Sequence, residues 1–303
     1  MRILVTGACG YVGSALVPKL RYAEHLVSEV DLQWFLKMTS KPSDVRMIKS
    51  IEEYDCIIHL AAISNDPSVS YYPRLSWETT VLATQQLAQM AVKTGCRFIY
   101  ASSVSVYGAD RGMVMEDMDV QPVSDYNKTK MCAERVLLSY PELRAQIIRP
   151  ATICGLSPRM RLDLTVNMFT MQALTKGVIT VHGGQQYRPS IHIDDMTDLY
   201  LWMADHPEHY GIFNAGFENH TLRDIALMVR SNISSSEIEI TDQRDVRSYQ
   251  VNSSKLLRAG FEPKKMMTDA IRELAKTYHA GNLKNEPNMY NLGWMQHLGI
   301  KDE

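Results

Sequence analysis

Apolar positions along the chain follow two spacings, one typical of strands and one typical of helices. Short runs rich in β-branched residues predict strands at residues 3–5, 26–31, 55–60, 97–101 and 146–149. Helical periodicity is clearest at residues 75–93 and 126–140. Strands that alternate with helices in this way favour a parallel sheet covered by helices on both faces.

The spacing of the predicted strands departs from this pattern in two places. Residues 31–55 are too few for a complete strand–helix–strand unit of usual length, so we expect a shortened crossover there. After Pro150 the pattern loosens. A β-type segment at residues 190–193 could return to the main sheet, while the segments around it resemble a smaller α/β cap.

Three glycines, Gly7, Gly10 and Gly13, follow the first predicted strand and open an amphipathic segment. Gly7 lets the backbone turn out of the strand, and Gly10 lets a pyrophosphate approach the main chain. Gly13 lets the following helix lie close to the sheet. A strand, a tight turn and a helix N-terminus in this order predict a site for a dinucleotide phosphate.

Asp31 ends the second predicted strand, where a carboxylate can accept hydrogen bonds from a ribose diol. Neither Leu32 nor Gln33, which follow it, is an arginine that would hold a 2′-phosphate. The sequence therefore favours NAD over NADP as the dinucleotide.

These features predict an α/β fold with a Rossmann-type, doubly wound parallel sheet and a smaller C-terminal α/β substrate-binding region. We expect the NAD-binding domain at residues 1–154, with a segment near residues 188–215 returning to it. Residues 155–303 are expected to form mainly the substrate-binding region.

Composition narrows the classes of partner. The chain has 303 residues and a formal net charge of -2, so no basic excess attracts nucleic acid or a membrane surface. It contains no apolar run long enough for a bilayer, and residue 1 belongs to a predicted strand rather than a signal peptide. Its five cysteines are scattered, which predicts reduced thiols and no metal site. We therefore expect a cytoplasmic protein.

Candidate chemistry follows the fourth predicted strand. Hydroxyl groups occur there at Ser102, Ser103 and Ser105, and Tyr126 and Lys130 lie four residues apart on a predicted helix. An isolated tyrosine has a pKa of about 10, which a nearby ammonium and a positively charged nicotinamide ring would lower. Such a tyrosine can take a proton from a sugar hydroxyl while hydride leaves the same carbon. Alone, this spacing is also common on helix surfaces.

In this order, the motifs resemble the extended short-chain dehydrogenase/reductase family, in its branch of NAD-dependent nucleotide-sugar epimerases and dehydratases. The resemblance covers nearly the whole chain. It rests on residues 6–13, Asp31, residues 59–62, Ser102, Ser103, Tyr107, Gly108, Tyr126, Lys130, Arg149, Pro150, Gly155, residues 188–195 and Arg247.

The resemblance implies a role for each matched residue. Tyr126 corresponds to the catalytic base, Lys130 to the residue that tunes it and holds the nicotinamide ribose, and Ser103 to the hydroxyl that orients the substrate. Ser102 and Ser105 are alternatives to Ser103. The implied NAD contacts are Gly7, Gly10, Tyr11, Val12, Gly13, Asp31, Asp44, Val45, Leu60, Ala61, Ala62, Tyr126 and Lys130.

A nucleotide-diphosphate sugar is the implied substrate. Arg188 and Arg247 resemble arginines that clamp its diphosphate, a task suited to the guanidinium fork. Ser105, beside Ser103, is also expected to contact the substrate. Three further residues either reach the substrate or are simply solvated: Arg159, Arg161 and Asn167.

Several residues near these motifs also have structural interpretations. His192 alternates with isoleucines, which favours a core histidine over a catalyst. Asp194 and Asp195 are expected to cap a helix that begins near residue 196. Trp34 and Phe35 either edge the adenine pocket or pack against the shortened crossover.

Absent residues narrow the reaction. Related 4,6-dehydratases carry an Asp-Glu pair where this chain has Val104 and Ser105, so elimination lacks an acid. The cysteine and histidine used for epimerisation beside a ketone are also missing. Hydride transfer at a carbinol remains, and we favour 4-epimerisation with tightly bound NAD. A net 4-dehydrogenase or 4-ketoreductase is the alternative, followed by a non-catalytic NAD-binding sensor or scaffold.

Two further expectations come from the resemblance. Thr80 stands where many relatives have an asparagine that supports the active-site water network. Homodimers formed through two helices per subunit are common in the family, so we expect a homodimer. The apolar stripes at residues 75–93 and 126–140 could form that interface or face the sheet.

Overall fold

The computed structural model describes residues 1–37, 41–233, 236–242 and 248–302. In chain order its strands are β1 (Arg2–Thr6), β2 (Leu26–Val30), β3 (Cys56–His59), β4 (Arg97–Ala101), β5 (Gly112–Val114), β6 (Gln146–Pro150), β7 (Thr152–Cys154), β8 (Val178–His182), β9 (Tyr187–His192), β10 (Gly211–Ala215), β11 (Glu218–Thr221), β12 (Glu237–Thr241) and β13 (Tyr249–Val251). Its helices are α1 (Gly13–Tyr22), α2 (Asp66–Tyr71), α3 (Pro73–Trp77), α4 (Ala83–Thr94), α5 (Asp125–Leu138), α6 (Thr165–Lys176), α7 (Ile193–Asp205), α8 (Leu222–Asn232), α9 (Ser254–Arg258), α10 (Met267–His279) and α11 (Asn291–His297). Among the described residues, no helix has both the length and the apolar character needed to pass through a membrane.

Six parallel strands form the central sheet, in the order β10-β6-β4-β3-β1-β2. The five strands predicted in the first half are all present, and most of their ends lie within one residue of the prediction. The predicted parallel α/β fold is therefore confirmed. The chain runs from β1 to β2 on one side and resumes at β3 on the other, so strand order reverses between β1 and β3. Open α/β sheets bind ligands at such a point.

The stretch between β2 and β3 is short, as the spacing predicts. In its described part, the helical structure is a single 3₁₀ turn at Val45–Met47. No further strand is added there to the described sheet, so β2 is its outer strand.

Strands of the second half, together with β5, form three small sheets. They have the orders β11-β9-β7, β12-β8 and β13-β5. Residues 190–193 do not return to the main sheet, because β9 pairs with β7 and β11. Within the expected range of residues 188–215, the strand that joins the main sheet is β10, beside β6. The predicted caps at Asp194 and Asp195 are also wrong. His192 caps α7, and its Nδ1 accepts the Asp194 N–H at 3.1 Å.

Alternate residues of the strands supply two cores. Ile3 of β1 packs in one cluster with α1 and α7, while Leu4 packs in another with α4 and α5. The apolar stripes of the helices predicted at residues 75–93 and 126–140 therefore face the sheet, although Leu82 and Leu138 remain about half exposed. The first of these helices is interrupted by a π-helical turn at Glu78–Leu82. This packing brings the start of α5 to the carboxyl ends of the strands.

Candidate active site

A cavity of about 590 Å³ opens at the carboxyl ends of β1, β2, β3, β4 and β6. Its wall contains every residue predicted to contact NAD and every predicted catalytic residue. The strand order reverses at this edge of the sheet, so the topology and the predicted motifs identify the same site.

The glycine turn forms the floor of the cavity. Gly7 has a φ of +75°, and its N–H donates to the Val30 carbonyl at 2.8 Å. A Cβ at Gly7 would lie 2.7 Å from the Ala61 nitrogen, and one at Gly13 would lie 2.2 Å from the Gly7 oxygen. A Cβ at Gly10 would approach the same oxygen only to 3.2 Å. Gly7 and Gly13 thus serve close packing, whereas Gly10 presents its backbone to the cavity, as a pyrophosphate site requires.

The Asp31 carboxylate joins the end of β2 to the glycine turn. It accepts the Cys9 N–H at 3.0 Å and the Gln33 N–H at 2.6 Å. Burial raises the pKa of Asp31, although these backbone hydrogen bonds act in the opposite direction. A carboxylate has about four acceptor positions, so a ribose diol can still bind to this one.

Asp44 and Val45 lie at the outer end of the cavity. The Asp44 carboxylate caps the 3₁₀ turn through the Arg46 N–H at 2.9 Å and pairs with the Arg46 guanidinium at 2.7 Å. Burial would raise the pKa of Asp44, but the hydrogen bonds from Arg46 hold it below its ordinary value. The Asp44 carboxylate thus fixes the conformation of this loop, and buried Val45 forms an apolar part of the cavity wall.

Tyr126 and Lys130 lie on the first turns of α5, which Ser124 caps by accepting the Asn127 N–H at 3.2 Å. The Lys130 ammonium donates to the Ala101 carbonyl at 2.7 Å and so ties α5 to the end of β4. Burial lowers the pKa of Lys130 to about 7. Burial also raises the pKa of Tyr126, while its hydrogen bond with Ser103 lowers it. The protein alone therefore keeps the phenol protonated at neutral pH.

The three serines after β4 have different surroundings. The Ser102 hydroxyl is hydrogen-bonded to the Glu134 carboxylate, which pairs with Arg149 at 2.6 Å in the interior. The hydroxyl oxygens of Ser103 and Ser105 lie 2.8 Å apart on the cavity wall. Because Ser103 also interacts with Tyr126, the geometry favours Ser103 as the orienting hydroxyl, with Ser105 beside it.

Glu134 was missed by the sequence analysis. It follows Tyr126 and Lys130 at the same four-residue spacing, and that repeat is the signal that would have found it. Its pair with Arg149 is almost completely buried. Arg149 also stacks over the ring of Tyr107, with 4.7 Å between the guanidinium carbon and the ring centroid. This network supports the serine segment from beneath.

Arg159 and Arg161 both reach the cavity, but each has a protein partner. Arg161 forms two hydrogen bonds with Asp163, at 2.9 and 3.0 Å. The Arg159 guanidinium donates to the Asn291 side chain and lies 4.2 Å from the centroid of the Phe35 ring. Burial lowers the pKa of Arg159 to about 9. Neither arginine is simply solvated.

The other residues predicted to bind the substrate lie in different surroundings. Arg188 lines the cavity. Asn167 is fully buried outside the described cavity wall, and its side chain bonds Gly155, Tyr11 and Arg161, so its prediction as a substrate ligand is not supported. Arg247 lies outside the described residues.

A C-terminal segment, residues 287–302, closes one side of the cavity and was not anticipated. Asn291 and Met295 line the wall, and the Trp294 indole N–H donates to the Trp34 carbonyl at 2.7 Å. Trp34 and Phe35 also line the cavity and share an apolar cluster with Met295. These contacts join positions more than two hundred residues apart, so local sequence carries no signal for them.

His59 ends β3 beneath the cavity. Its Nδ1 lies 2.6 Å from the Thr6 hydroxyl and its Nε2 lies 3.0 Å from the Thr84 hydroxyl. Thr84 also donates to the carbonyl of Thr80, which is buried in the π-helical turn. Burial lowers the pKa of His59 to about 3, so this histidine is a neutral link between β1, β3 and α4.

Comparisons with known proteins identify the family of this chain. A family model described as the NAD dependent epimerase/dehydratase family matches residues 3–216. UDP-glucuronic acid decarboxylase 1 of Danio rerio is 26% identical over 314 residues, covering 95% of this chain and 74% of the relative. The uncharacterized UDP-glucose epimerase YtcB of Bacillus subtilis is 30% identical over 232 residues, 64% of this chain and 70% of that protein.

A solved structure supports the same family assignment. MoeE5 in complex with UDP-glucuronic acid and NAD superposes with a TM-score of 0.81 at 26% identity, over 92% of this chain and 100% of MoeE5. The predicted resemblance and the NAD requirement are therefore confirmed. The chain belongs to the NAD dependent epimerase/dehydratase family, an enzyme family of the extended short-chain dehydrogenase/reductase type.

Proposed function

We propose that this enzyme inverts C4 of a nucleotide-diphosphate sugar through a transient 4-keto sugar. The observation that carries the proposal is that Ser103, Tyr126 and Lys130 share one cavity with the glycine turn and Asp31. NAD, when bound, supplies the nicotinamide that accepts a hydride from the sugar and returns it.

The protein's own residues move and hold the proton. Ser103 hydrogen-bonds the C4 hydroxyl, and Tyr126 takes its proton as C4 is oxidised. Tyr126 is protonated in the protein alone; the positive charge of NAD, when it is bound, together with an ammonium at Lys130, would favour the phenolate form. When the keto sugar turns over in the cavity, Tyr126 returns the proton to the oxygen during reduction on the opposite face. Ser105, beside Ser103, helps to hold the sugar oxygen.

The residues beside Ser103 support simple hydride chemistry. Val104 and Ser105 line the cavity where elimination would need a proton-transferring carboxyl group. A 4-epimerase needs no such group, because the same tyrosine serves both half-reactions. If the 4-keto sugar is released instead, the same residues give a net dehydrogenase or ketoreductase.

We place the diphosphate near Arg188, which lines the cavity and has the bidentate geometry that phosphate recognition favours. MoeE5 has been solved with UDP-glucuronic acid and also with UDP-glucose, each together with NAD, which supports a UDP-sugar here. The expected homodimer remains part of the proposal, with two exposed apolar residues as candidate contacts, Leu82 of the π-helical turn and Leu138 of α5.

Decarboxylation of a nucleotide uronic acid is the second candidate, because several relatives are UDP-glucuronic acid decarboxylases. Oxidation at C4 of such a sugar produces a β-keto acid, which can lose carbon dioxide before C4 is reduced again. This reaction would start with the same Tyr126 and Lys130 chemistry. It differs in requiring a carboxylate on the sugar ring.

One experiment separates these reactions. Purified protein is incubated, without added NAD, with UDP-, GDP- and CDP-sugars, and the products are followed by NMR of the sugar ring and by NADH absorbance. The expected result is a C4-inverted sugar without net NADH. Loss of carbon dioxide from UDP-glucuronic acid would identify the second candidate, whereas stoichiometric NADH would identify a dehydrogenase. No conversion of any sugar would contradict the proposal.

A further inference from the structure

The segment that follows β7 packs against the start of α1. The Ser157 hydroxyl donates to the Tyr11 carbonyl at 2.6 Å, and its oxygen lies 3.0 Å from the Ser14 hydroxyl oxygen. The Arg159 N–H donates to the same Ser14 hydroxyl at 3.2 Å. Tyr11 and Ser14 lie on either side of Gly13, at the helix N-terminus where a dinucleotide phosphate is expected. These bonds fix the backbone of Arg159 beside the glycine turn.

The guanidinium of Arg159 lies near the predicted ribose site. Burial has the largest effect on the pKa values of Arg159 and Asp31, but the charge of each also acts on the other. The guanidinium carbon is 4.2 Å from the ring centroid of Phe35, which follows Asp31 by four positions. Arg159 therefore lies at the end of the cavity where Asp31 is expected to bind the adenosine ribose.

Arg161, two positions further along, lies at the other end of the cavity. It forms two hydrogen bonds with Asp163, at 2.9 and 3.0 Å. After burial and a hydrogen bond, the charges of Asp66 and Arg161 also act on the pKa of Tyr126. Arg161 and Asp66 thus belong to the reacting end, whereas Arg159 belongs to the cofactor end.

Arg159 is a buried cation without a carboxylate partner in the described part of the chain. Its side chain donates to the side-chain oxygen of Asn291, which is a neutral group. Its Nε is buried and, among the described residues, has no hydrogen-bond partner. The pKa of about 9 leaves the guanidinium charged at neutral pH. A buried charge is unfavourable unless it is paired, so this position suits an anion.

Asn291 and Phe35 hold the guanidinium from two directions. The Asn291 amide also donates to the Ser64 carbonyl at 3.1 Å and to the Ser64 hydroxyl at 2.8 Å. The C-terminal segment is thereby joined both to Arg159 and to the loop after β3. A side chain that is already oriented loses little conformational freedom when a ligand binds.

We propose that Arg159 binds the pyrophosphate of NAD, and that Asn291 positions it, so that the dinucleotide stays in the cavity through turnover. The pyrophosphate carries the negative charge of the adenosine half of NAD, and it lies between the glycine turn and the ribose site. A guanidinium can bind phosphate oxygens through two parallel hydrogen bonds. The proposal goes beyond the proposed function and does not depend on inversion at C4, because every reaction considered above uses bound NAD.

The test measures NAD retention separately from substrate binding. The protein is equilibrated with isotopically labelled NAD, and the rate at which excess unlabelled NAD replaces it is measured. The affinity of the NAD-loaded protein for UDP is measured by calorimetry. The variants are Arg159→Met, Arg159→Lys and Asn291→Ala. Arg161→Met is the matched control, because Arg161 is also an almost completely buried arginine of the same segment.

We expect Arg159→Met to exchange NAD about 10- to 100-fold faster than the wild type, the usual effect of losing hydrogen bonds to a charged group. Arg159→Lys should lie between the two, because lysine keeps the charge but loses the bidentate geometry. Affinity for UDP in the Arg159 variants and NAD exchange in Arg161→Met should not change. Asn291→Ala should accelerate exchange in the wild type but not in Arg159→Met, because it acts through Arg159.

An unchanged exchange rate in Arg159→Met would overturn the proposal. Equal acceleration by Arg161→Met would do so as well, since it would show that the segment had loosened. A loss of UDP affinity with unchanged exchange would make Arg159 a substrate ligand instead. Additive effects of Asn291→Ala and Arg159→Met would refute the role of Asn291.

Two further results are distinguishable. If Arg159→Met does not fold, the comparison of Arg159→Lys with the wild type decides, and equal exchange rates would then overturn the proposal. NAD exchange requires no sugar turnover. Faster exchange in the Arg159 variants together with no inversion at C4 would therefore support the role of Arg159 while the proposed reaction fails.

Discussion

The two ends of the cavity are built in different ways. At the cofactor end, the wall comes from the glycine turn, Asp31 and residues 60–62, which lie within the first 62 positions of the chain. At the sugar end, Asp66 faces residues drawn from far along the chain, among them Arg161 and Asn291. The first end depends on backbone shape and the second on side chains joined by tertiary contacts. The cofactor end is thus encoded mainly by local sequence, whereas the other end is formed by residues that only the fold brings together.

The largest expected effect separates chemistry from cofactor binding. Tyr126→Phe removes the proton-accepting hydroxyl but keeps the ring that packs against α2. We expect turnover to fall about 1000-fold, within the usual contribution of a positioned acid or base, with bound NAD unchanged. Turnover is measured by NMR and NAD content by absorbance after denaturation. Retention of more than a tenth of the activity would rule out Tyr126 as the base.

The second prediction separates two roles of the glycine turn, the packing role of Gly13 and the NAD-binding role of Gly10. Gly13→Ala would place a Cβ 2.2 Å from the Gly7 oxygen, so we expect a loss of about 3 kcal/mol in unfolding free energy. Gly10→Ala would place its Cβ 3.2 Å from the same oxygen, a tight contact but not a clash, so it should lose much less stability than Gly13→Ala while losing NAD. Chemical denaturation and NAD content measure the two effects. Equal destabilisation by both substitutions would show that Gly10, too, serves packing.

The third prediction concerns His59, the buried histidine that lies beneath the cavity at the end of β3. The pKa of His59 is about 3 in the folded protein, below its ordinary value of 6.5. As pH falls from 6.5 towards 3, the unfolded chain gains a proton that the folded chain excludes, so stability decreases. We expect a loss of about 2 kcal/mol by pH 5, which His59→Asn should largely abolish. Parallel slopes of unfolding free energy against pH in the two proteins would contradict this assignment.

The smallest effect is expected where the C-terminal segment meets the cofactor end. Trp294→Phe keeps an aromatic ring but removes the hydrogen bond to the Trp34 carbonyl. We expect a loss of about 1 kcal/mol in unfolding free energy, the usual net value of one such bond. Thermal unfolding and the rate of NAD release measure it. His297→Phe, which changes a residue stacked on Trp294 without touching that bond, is the matched control.

The same contrast explains how much of the protein was predictable. Strand spacing and the glycine turn predicted the parallel sheet, because periodicity and backbone geometry are local properties. The strand at residues 187–192 was assigned to the wrong sheet, because pairing partners depend on contacts distant in sequence. The role of Asn167 was hard to predict for a related reason, since its position in the sequence does not show that its side chain hydrogen-bonds Gly155 and Tyr11.

Asp66 is an intermediate case. Its place after a strand that ends at the binding edge was visible in the sequence, but its nearness to Tyr126 depends on how α2 packs against α5. Asn291 offered no such signal, because its partner Ser64 is 227 positions away.

The bond between Trp294 and Trp34 also bears on the order of folding. It closes a loop of 260 residues, and such long-range contacts become favourable only after intervening chain entropy has been lost. The sheet and its glycine turn can form from contacts much nearer in sequence. We expect a folding intermediate in which the sheet and the glycine turn have formed but residues 287–302 have not yet closed their side of the cavity. In such an intermediate, NAD would be the first ligand with a surface to bind, and its capture would favour docking of the remaining wall.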